Sequence, residues 1–369
     1  MLSSLARPIL VAVLAALLAA CGGSGSVQPS TTGGAASPGC GAGTPPSGDG
    51  VSLPSAGCAV VPTASLIVGL GYLPSVQFAP FYLADQAGYY RDAGLTVTFQ
   101  NKIDPDLVTL VGQGAIDVGV ADGTSVIPAV SQGIPIQYVA TIYGTFPNVV
   151  FAKVSSGIKT VADLKGRKIG TPGKYGSSWV MLQALLGSVH LTPDDVTVVP
   201  YPDFGQGVAV QQDAVDAATG FANNEPVQLE LSGSPAVVLH VDDVVALPGP
   251  GLIASTGTLT AKGDTVRAFV AATIRAMTEI AADPQTGLDA AITAVPDLAA
   301  QRDTQLAILK ATIETWSGAV TADGRYGAID RPGWEASLAY LTKLGLVPNP
   351  VEVDDLINPS FLPPAAAVP

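Results

Sequence analysis

From Leu66 onward the chain alternates short β-branched runs with helical patterns: LIVGLGYL, then APFYLADQAGYYRDAG, then LTVTFQ. A chain that places a helix between successive strands has few ways to bury both, and the usual one is a parallel sheet with right-handed helical crossovers. The class expected is α/β. Open sheets of this kind hold ligands beyond the carboxyl ends of their strands.

Comparing the chain with itself narrows the architecture. QGAIDVGVADGTSVIPAVSQGIPIQYVA at 113–140 reads like QDAVDAATGFANNEPVQLELSGSPAVVLHV at 212–241, with Asp117 matching Asp216 and Gly133-Ile134-Pro135 matching Gly233-Ser234-Pro235. Each copy runs from a strand through a polar turn into a helix that ends near glycine, followed by another strand. With the copies in separate lobes that face each other, ADGTS and FANNEP both open into the space between. NVVFAKVSSGIKTVADLKGRKIGTPG starts a new sheet and the glycines of GPGLIAST let the chain cross back, which predicts lobe I at 66–150 plus 253–360 and lobe II at 151–252. The pattern DTVRAFVAATIRAMTEIAADP, apolar at roughly 3.6 spacing, returns to pack on lobe I. Two crossings make a hinge, which suits closure around a solute.

The N-terminal segment sets the compartment. Arg7 precedes an apolar stretch from Ile9 to Ala20 that ends Leu18-Ala19-Ala20-Cys21, a secretory signal (1–20) with a lipobox. The stretch is shorter than the roughly 20 residues a membrane-spanning helix needs, so cleavage before Cys21 and lipid attachment are expected. Residues 21–63 are rich in Gly, Ser, Thr and Pro with hardly a charge and read as a flexible tether. Cys40 and Cys58 lie within it and can pair in an oxidising compartment, whereas two isolated cysteines without a nearby histidine make no metal site. The body that follows has no second apolar span and is expected to be soluble.

A formal charge of −13 leaves no Lys/Arg stripe for replacing phosphate counterions, which excludes nucleic acid as the expected partner. Catalytic parts are scarce. The two histidines, His190 and His240, sit beside a helix end and after an apolar strand, and no G-x-S-x-G elbow, H-E-x-x-H helix or phosphate loop occurs. The expectation is a binding protein and not an enzyme, with no cofactor.

LGYLPSVQFAPFYLADQAGYYRDAGLTVTF, GAIDVGVADGTS, TVADLKGRKIGTPGKYGSSW and GFANNEP, in this order behind a lipobox, resemble the solute-binding lipoproteins of bacterial ABC importers. The likeness is to receptors for thiamine pyrimidine precursors and for riboflavin, within a group that also takes up taurine, other sulfonates and nitrate. It implies a type II periplasmic-binding-protein fold, a ligand enclosed between two lobes, a permease with its ATPase as partners, a lipid anchor to the cell membrane and a monomeric state. A flat nitrogen heterocycle is the ligand class expected, a thiamine pyrimidine precursor ahead of riboflavin and a sulfonate or nitrate third. A membrane-tethered sensor without transport is the alternative of another class. A related fold also serves a fungal enzyme that makes the thiamine pyrimidine, but its cysteine-rich run is absent here.

Candidate cleft residues follow from the loops after the strands. Phe78, Phe81 and Tyr82 share a helical turn, and Phe78 is assigned to the cleft, where an aromatic ring can stack on a planar ligand. In GKYGSSWVMLQALL, Ser177 or Ser178 either caps the helix or meets a ligand, and Tyr175 and Trp179 suit a flat ring. Asp122 is a turn former or a contact, with Thr124 beside it, and Tyr143 and Phe146 can form an apolar wall. In FANNEP, Asn223 or Asn224 can cap the helix that Pro226 opens, which leaves Glu225 to be an exposed first-turn residue or an ionised acceptor facing ligand.

Overall fold

The computed structural model describes residues 64–103 and 106–364. The expected signal 1–20, the lipidation site Cys21 and the tether 21–63 with Cys40 and Cys58 lie outside the described residues. Lobe I opens with β1 (Ala64–Leu70), a 3-10 turn over Val76–Phe78, α1 (Ala79–Gln86), α2 (Tyr89–Asp92) and β2 (Leu95–Asn101). It continues through α3 (Asp106–Gly112), β3 (Val118–Ala121), α4 (Gly123–Ser131) and β4 (Ile136–Thr141). Lobe II holds β5 (Asn148–Lys153), β6 (Lys168–Thr171), α5 (Gly176–Gly187), β7 (Thr197–Pro200), α6 (Gln206–Gln211), β8 (Ala217–Phe221), α7 (Glu225–Leu231) and β9 (Ala236–His240). The chain returns as β10 (Gly251–Ser255), followed by α8 (Thr256–Ala261), α9 (Gly263–Ala282), α10 (Pro284–Ala294), α11 (Arg302–Trp316), α12 (Arg331–Lys343) and α13 (Val353–Leu356).

The strand orders are β2-β1-β3-β10-β4 in lobe I and β7-β6-β8-β5-β9 in lobe II. In each sheet one internal strand is antiparallel to both neighbours, β10 in the first and β5 in the second. Each of these is the strand that follows a crossing. It enters from the carboxyl ends of the parallel strands and must run backwards. The expected lobe limits at 150/151 and 252/253 fall inside β5 and β10, and the crossings themselves occupy 142–147 and 241–250. Periodicity could not place them, because the apolar runs of β5 and β10 continue across those limits. The crossings are tied together, with Ile142 N and Tyr143 N both donating to Pro250 O at 3.1 and 2.8 Å.

The two self-similar segments become β3-α4-β4 and β8-α7-β9, at corresponding places in the two sheets. Their matched aspartates do the same work. Asp117 Oδ2 accepts from Ile67 N of β1 at 2.9 Å, and Asp216 Oδ2 accepts from Lys168 N of β6 at 2.8 Å. Gly133 and Gly233, which end α4 and α7, have φ of +87° and +85°, the left-handed region that favours glycine. Helices cover both faces of the lobe I sheet. The apolar stripe of α9, Val266, Phe269, Val270, Ile274, Met277 and Ile280, is buried, and Phe81 stacks on Phe269 with centroids 6.3 Å apart. Each such side chain contributes about 1.5–3 kcal/mol by leaving water. Phe81 and Tyr82 therefore belong to the core.

Asp117 also accepts from Lys262 Nζ at 2.7 Å and its side chain is better enclosed than that of Asp216, 12% against 35% exposed. Asp117→Ala is expected to lower unfolding free energy by about 1–3 kcal/mol and Asp216→Ala by less, since an orphaned donor costs most where water cannot replace the partner. Denaturant unfolding of the two variants checks the order.

Candidate functional site

The loops after the carboxyl ends of the parallel strands meet in a cavity between the lobes. Lobe I supplies Tyr72, which follows β1, with Gln77 and Phe78 from the 3-10 turn and Asp122 after β3. The first crossing supplies Tyr143. Lobe II supplies Tyr175, Ser177 and Ser178 at the start of α5, Phe204 and Gln206 before and at the start of α6, and Phe221, Asn224 and Glu225 at the end of β8. Among the described residues, no lysine, arginine or histidine lines this cavity, while two carboxyl groups do. His190 and His240 are exposed and outside it.

Eight sequence-derived candidates thus meet in the wall: Phe78, Asp122, Tyr143, Tyr175, Ser177, Ser178, Asn224 and Glu225. Thr124, Trp179 and Asn223 do not line it. Asp122 is the N-cap of α4, accepting from Thr124 N at 3.0 Å and Ser125 N at 3.2 Å, and the Thr124 hydroxyl, buried, donates to the same carboxylate. Trp179 packs against the lobe II core, with Lys174 Nζ 5.6 Å from its ring centre. Phe146 is buried in that same core and forms no part of the wall.

The serines of α5 do not cap their helix, whose N-cap is Tyr175 with no side-chain bond. They are taken up by Asn148, fully buried on β5: its Nδ2 donates to Ser177 Oγ at 3.1 Å and its Oδ1 accepts from Ser178 Oγ at 3.0 Å. Neither amide of FANNEP caps α7 either. Asn224 occupies the N-cap position without a side-chain bond and accepts instead from Gln228 Nε2 at 2.9 Å. Asn223, 1% exposed, donates across the cleft to Gln77 Oε1 at 2.9 Å and to Thr312 Oγ1 of α11 at 2.8 Å. Burial raises the Tyr143 hydroxyl well above its ordinary value, offset in part by hydrogen bonds with Asn223 and Thr312.

Glu225 turns its carboxyl inward, where Oε2 accepts from Phe221 N at 2.8 Å. Gly220 makes the room, because a Cβ there would stand 2.8 Å from that oxygen and 2.8 Å from the Phe151 ring. The Glu225 carboxyl is harder to ionise than a first-turn helix position alone implies. Enclosure raises the carboxyl from 4.5 to about 7, outweighing the hydrogen bonds from the N–H groups of Phe221 and of Glu225 itself, which lower it. The start of α7 does not supply enough positive potential to offset desolvation. The same proximity acts on Tyr72, whose hydroxyl is pushed up by burial first and by Glu225 second.

Tyr72 and Phe204 had no part in the sequence-level site. They meet across the cleft edge to face, centroids 5.0 Å apart at 88°. Phe204 holds φ of +61°, a conformation that costs a bulky L-residue roughly 1–2 kcal/mol and tends to persist where function uses it. The available signal was position: YPDFGQG follows the strand β7, where a sheet of this class binds its ligand.

These two lobes, hinge and enclosed cavity are the periplasmic-binding-protein fold. The alkanesulfonate-binding protein SsuA of Xanthomonas axonopodis, bound to MOPS, superposes with a TM-score of 0.62 over 81% of this chain and 97% of that one, at 19% identity. The NMT1/THI5-like family model matches residues 75–287, and the chain belongs to that family. It is 33% identical to the riboflavin-binding protein RibY of Chloroflexus aurantiacus over 304 residues, 80% of this chain and 85% of the relative. The 4-amino-5-hydroxymethyl-2-methylpyrimidine phosphate synthase of Legionella pneumophila is 27% identical over 181 residues, 48% of this chain and 56% of the synthase. No helix among the described residues is long and apolar enough to cross a membrane.

Because the folded carboxyl of Glu225 titrates near 7 and an unfolded one near 4.5, the folded chain binds more protons between these values, and stability falls as pH rises through that window. The loss is on the order of 3 kcal/mol at 1.36 kcal/mol per unit and is complete above about pH 7. Glu225→Gln is expected to flatten this part of the stability profile of the ligand-free protein, read by denaturant unfolding at pH 4.5, 6 and 8.

Proposed function

We propose that this chain is the substrate-binding component of an ABC importer, extracytoplasmic and lipid-anchored at Cys21, that encloses a flat, neutral nitrogen heterocycle between its lobes. The observation that carries this reading is the cavity wall: Tyr72, Phe78, Tyr143, Tyr175, Phe204 and Phe221 offer aromatic surface, Asp122 and Glu225 offer carboxyl groups, and no lysine, arginine or histidine lines it among the described residues. A sulfonate or nitrate would enter this space without a counter-charge and next to acids. At the start of α5 the Ser178 hydroxyl is already donated to Asn148, and Ser177 accepts from the same amide, so the first-turn N–H groups of α5 and the Ser177 O–H would meet an anion with no cationic side chain among the described lining residues.

Riboflavin is the first ligand proposed and a thiamine pyrimidine precursor the second. This order reverses the one drawn from FANNEP, because the likeness to a riboflavin-binding protein spans 80% of the chain and the likeness to the pyrimidine synthase only 48%. The function is binding, with closure of the lobes presenting one surface to a permease, and no bond is made or broken. The ligand contacts proposed are Phe78, Tyr175, Phe204, Asn224 and Glu225, with Tyr143 at the hinge side.

The test is titration of the full chain, unfolded and refolded to strip ligand, with riboflavin by quenching of flavin fluorescence, and with hydroxymethylpyrimidine, taurine and nitrate by calorimetry. Riboflavin should saturate one site, and taurine and nitrate should give no heat. Binding of taurine or nitrate with none of either heterocycle would overturn the reading. Phe204→Ala should weaken riboflavin about fivefold to 150-fold, since stacking on an aromatic side chain contributes about 1–3 kcal/mol, while Trp179→Ala should leave affinity unchanged.

A further inference from the structure

Gln206 opens α6, is 2% exposed and lies in the cavity wall. Its Nε2 donates to Thr219 O of β8 at 3.3 Å. Because a carbonyl only accepts, that bond fixes which end of the amide points to the strand. The other end, Oε1, is buried and has no hydrogen-bond partner among the described residues. Buried amide oxygens are normally partnered, and an orphan in a cavity wall calls for a donor from whatever fills the cavity. Glu225 is anchored two residues further along the same strand, through its bond from Phe221 N. The two side chains come from neighbouring elements: a Cβ added at Gly207 would stand 3.1 Å from Glu225 Cγ. Two polar groups are thereby fixed by the backbone of β8 at one end of an aromatic pocket.

We propose that Gln206 is a specificity-determining residue whose Oε1 accepts a hydrogen bond from a ring N–H of the heterocycle, with Glu225 engaging the neighbouring polar position of the same ring edge. The inference rests on the proposed function and deepens it. It assigns the recognised edge as one that carries an N–H beside a second polar atom, as the imide of a flavin does and a sulfonate does not. A ligand lacking that N–H leaves the Gln206 oxygen orphaned in the complex, which is how a buried acceptor rejects an otherwise isosteric molecule.

The experiment pairs a protein change with a ligand change. Wild type and Gln206→Met are titrated with riboflavin and with N3-methylriboflavin, which lacks the imide N–H, both followed by quenching of flavin fluorescence. Thermal unfolding confirms that the variant is folded. Wild type should prefer riboflavin by tenfold or more, equivalent to about 1.4 kcal/mol. Gln206→Met should bind riboflavin at least tenfold more weakly and lose most of the preference between the two flavins. A preference that survives in Gln206→Met, or a wild type that binds both flavins equally, overturns the role of Gln206 and leaves the proposed function standing. A wild type that binds neither flavin nor hydroxymethylpyrimidine overturns the functional reading and this inference together.

Discussion

Asn223 belongs to lobe II and is buried against lobe I, where its amide nitrogen donates to Gln77 and Thr312. Parting the lobes would break both bonds and return the three groups to solvent. A buried amide costs about 1–3 kcal/mol if left unpaired, so separating the lobes just far enough to break these bonds without admitting water would be costly. The C-terminal helices reinforce this contact from the far side. Tyr340 Oη on α12 donates to Ala184 O on α5 at 2.8 Å, and Ser337 Oγ donates to Ala246 O in the second crossing at the same distance.

The geometry that brings Asn223 to this place comes from a repeated unit. β3-α4-β4 and β8-α7-β9 sit at equivalent positions in sheets that face each other, so the turn after β3 and the turn after β8 open on one space. The copies have diverged in what they do there. In lobe I the turn spends its carboxylate on its own helix, through Asp122, whereas in lobe II the turn sends one amide across the cleft and turns a glutamate into the wall. Among the described residues the wall is aromatic and acidic and without cations.

Much of the fold was legible in the sequence. Alternating strand and helix patterns with a self-similar segment specify two α/β lobes, and Asp117 and Asp216, matched by sequence, share one bracing role. Site chemistry was legible only where a residue's neighbours along the chain decide its role, as for the capping carboxylate of Asp122. Partners distant in sequence were not: Asn148 lies 29 residues before Ser177, and Thr312 lies 89 residues after Asn223. Trp179 was assigned to the cleft by its proximity to the serines, but a helix start turns successive side chains to different faces. The raised carboxyl of Glu225 was not legible, because helix polarity is visible in sequence and enclosure in a cavity wall is not. Phe204 and Gln206 carried no motif at all beyond following a strand.

Under the proposed function, a heterocycle bound between the lobes closes them onto the Asn223 contacts. Small-angle X-ray scattering of the ligand-stripped full chain, with and without saturating riboflavin, addresses this directly. A smaller radius of gyration is expected with riboflavin, matching the arrangement described above. An unchanged radius at a riboflavin concentration shown to saturate the site would contradict it.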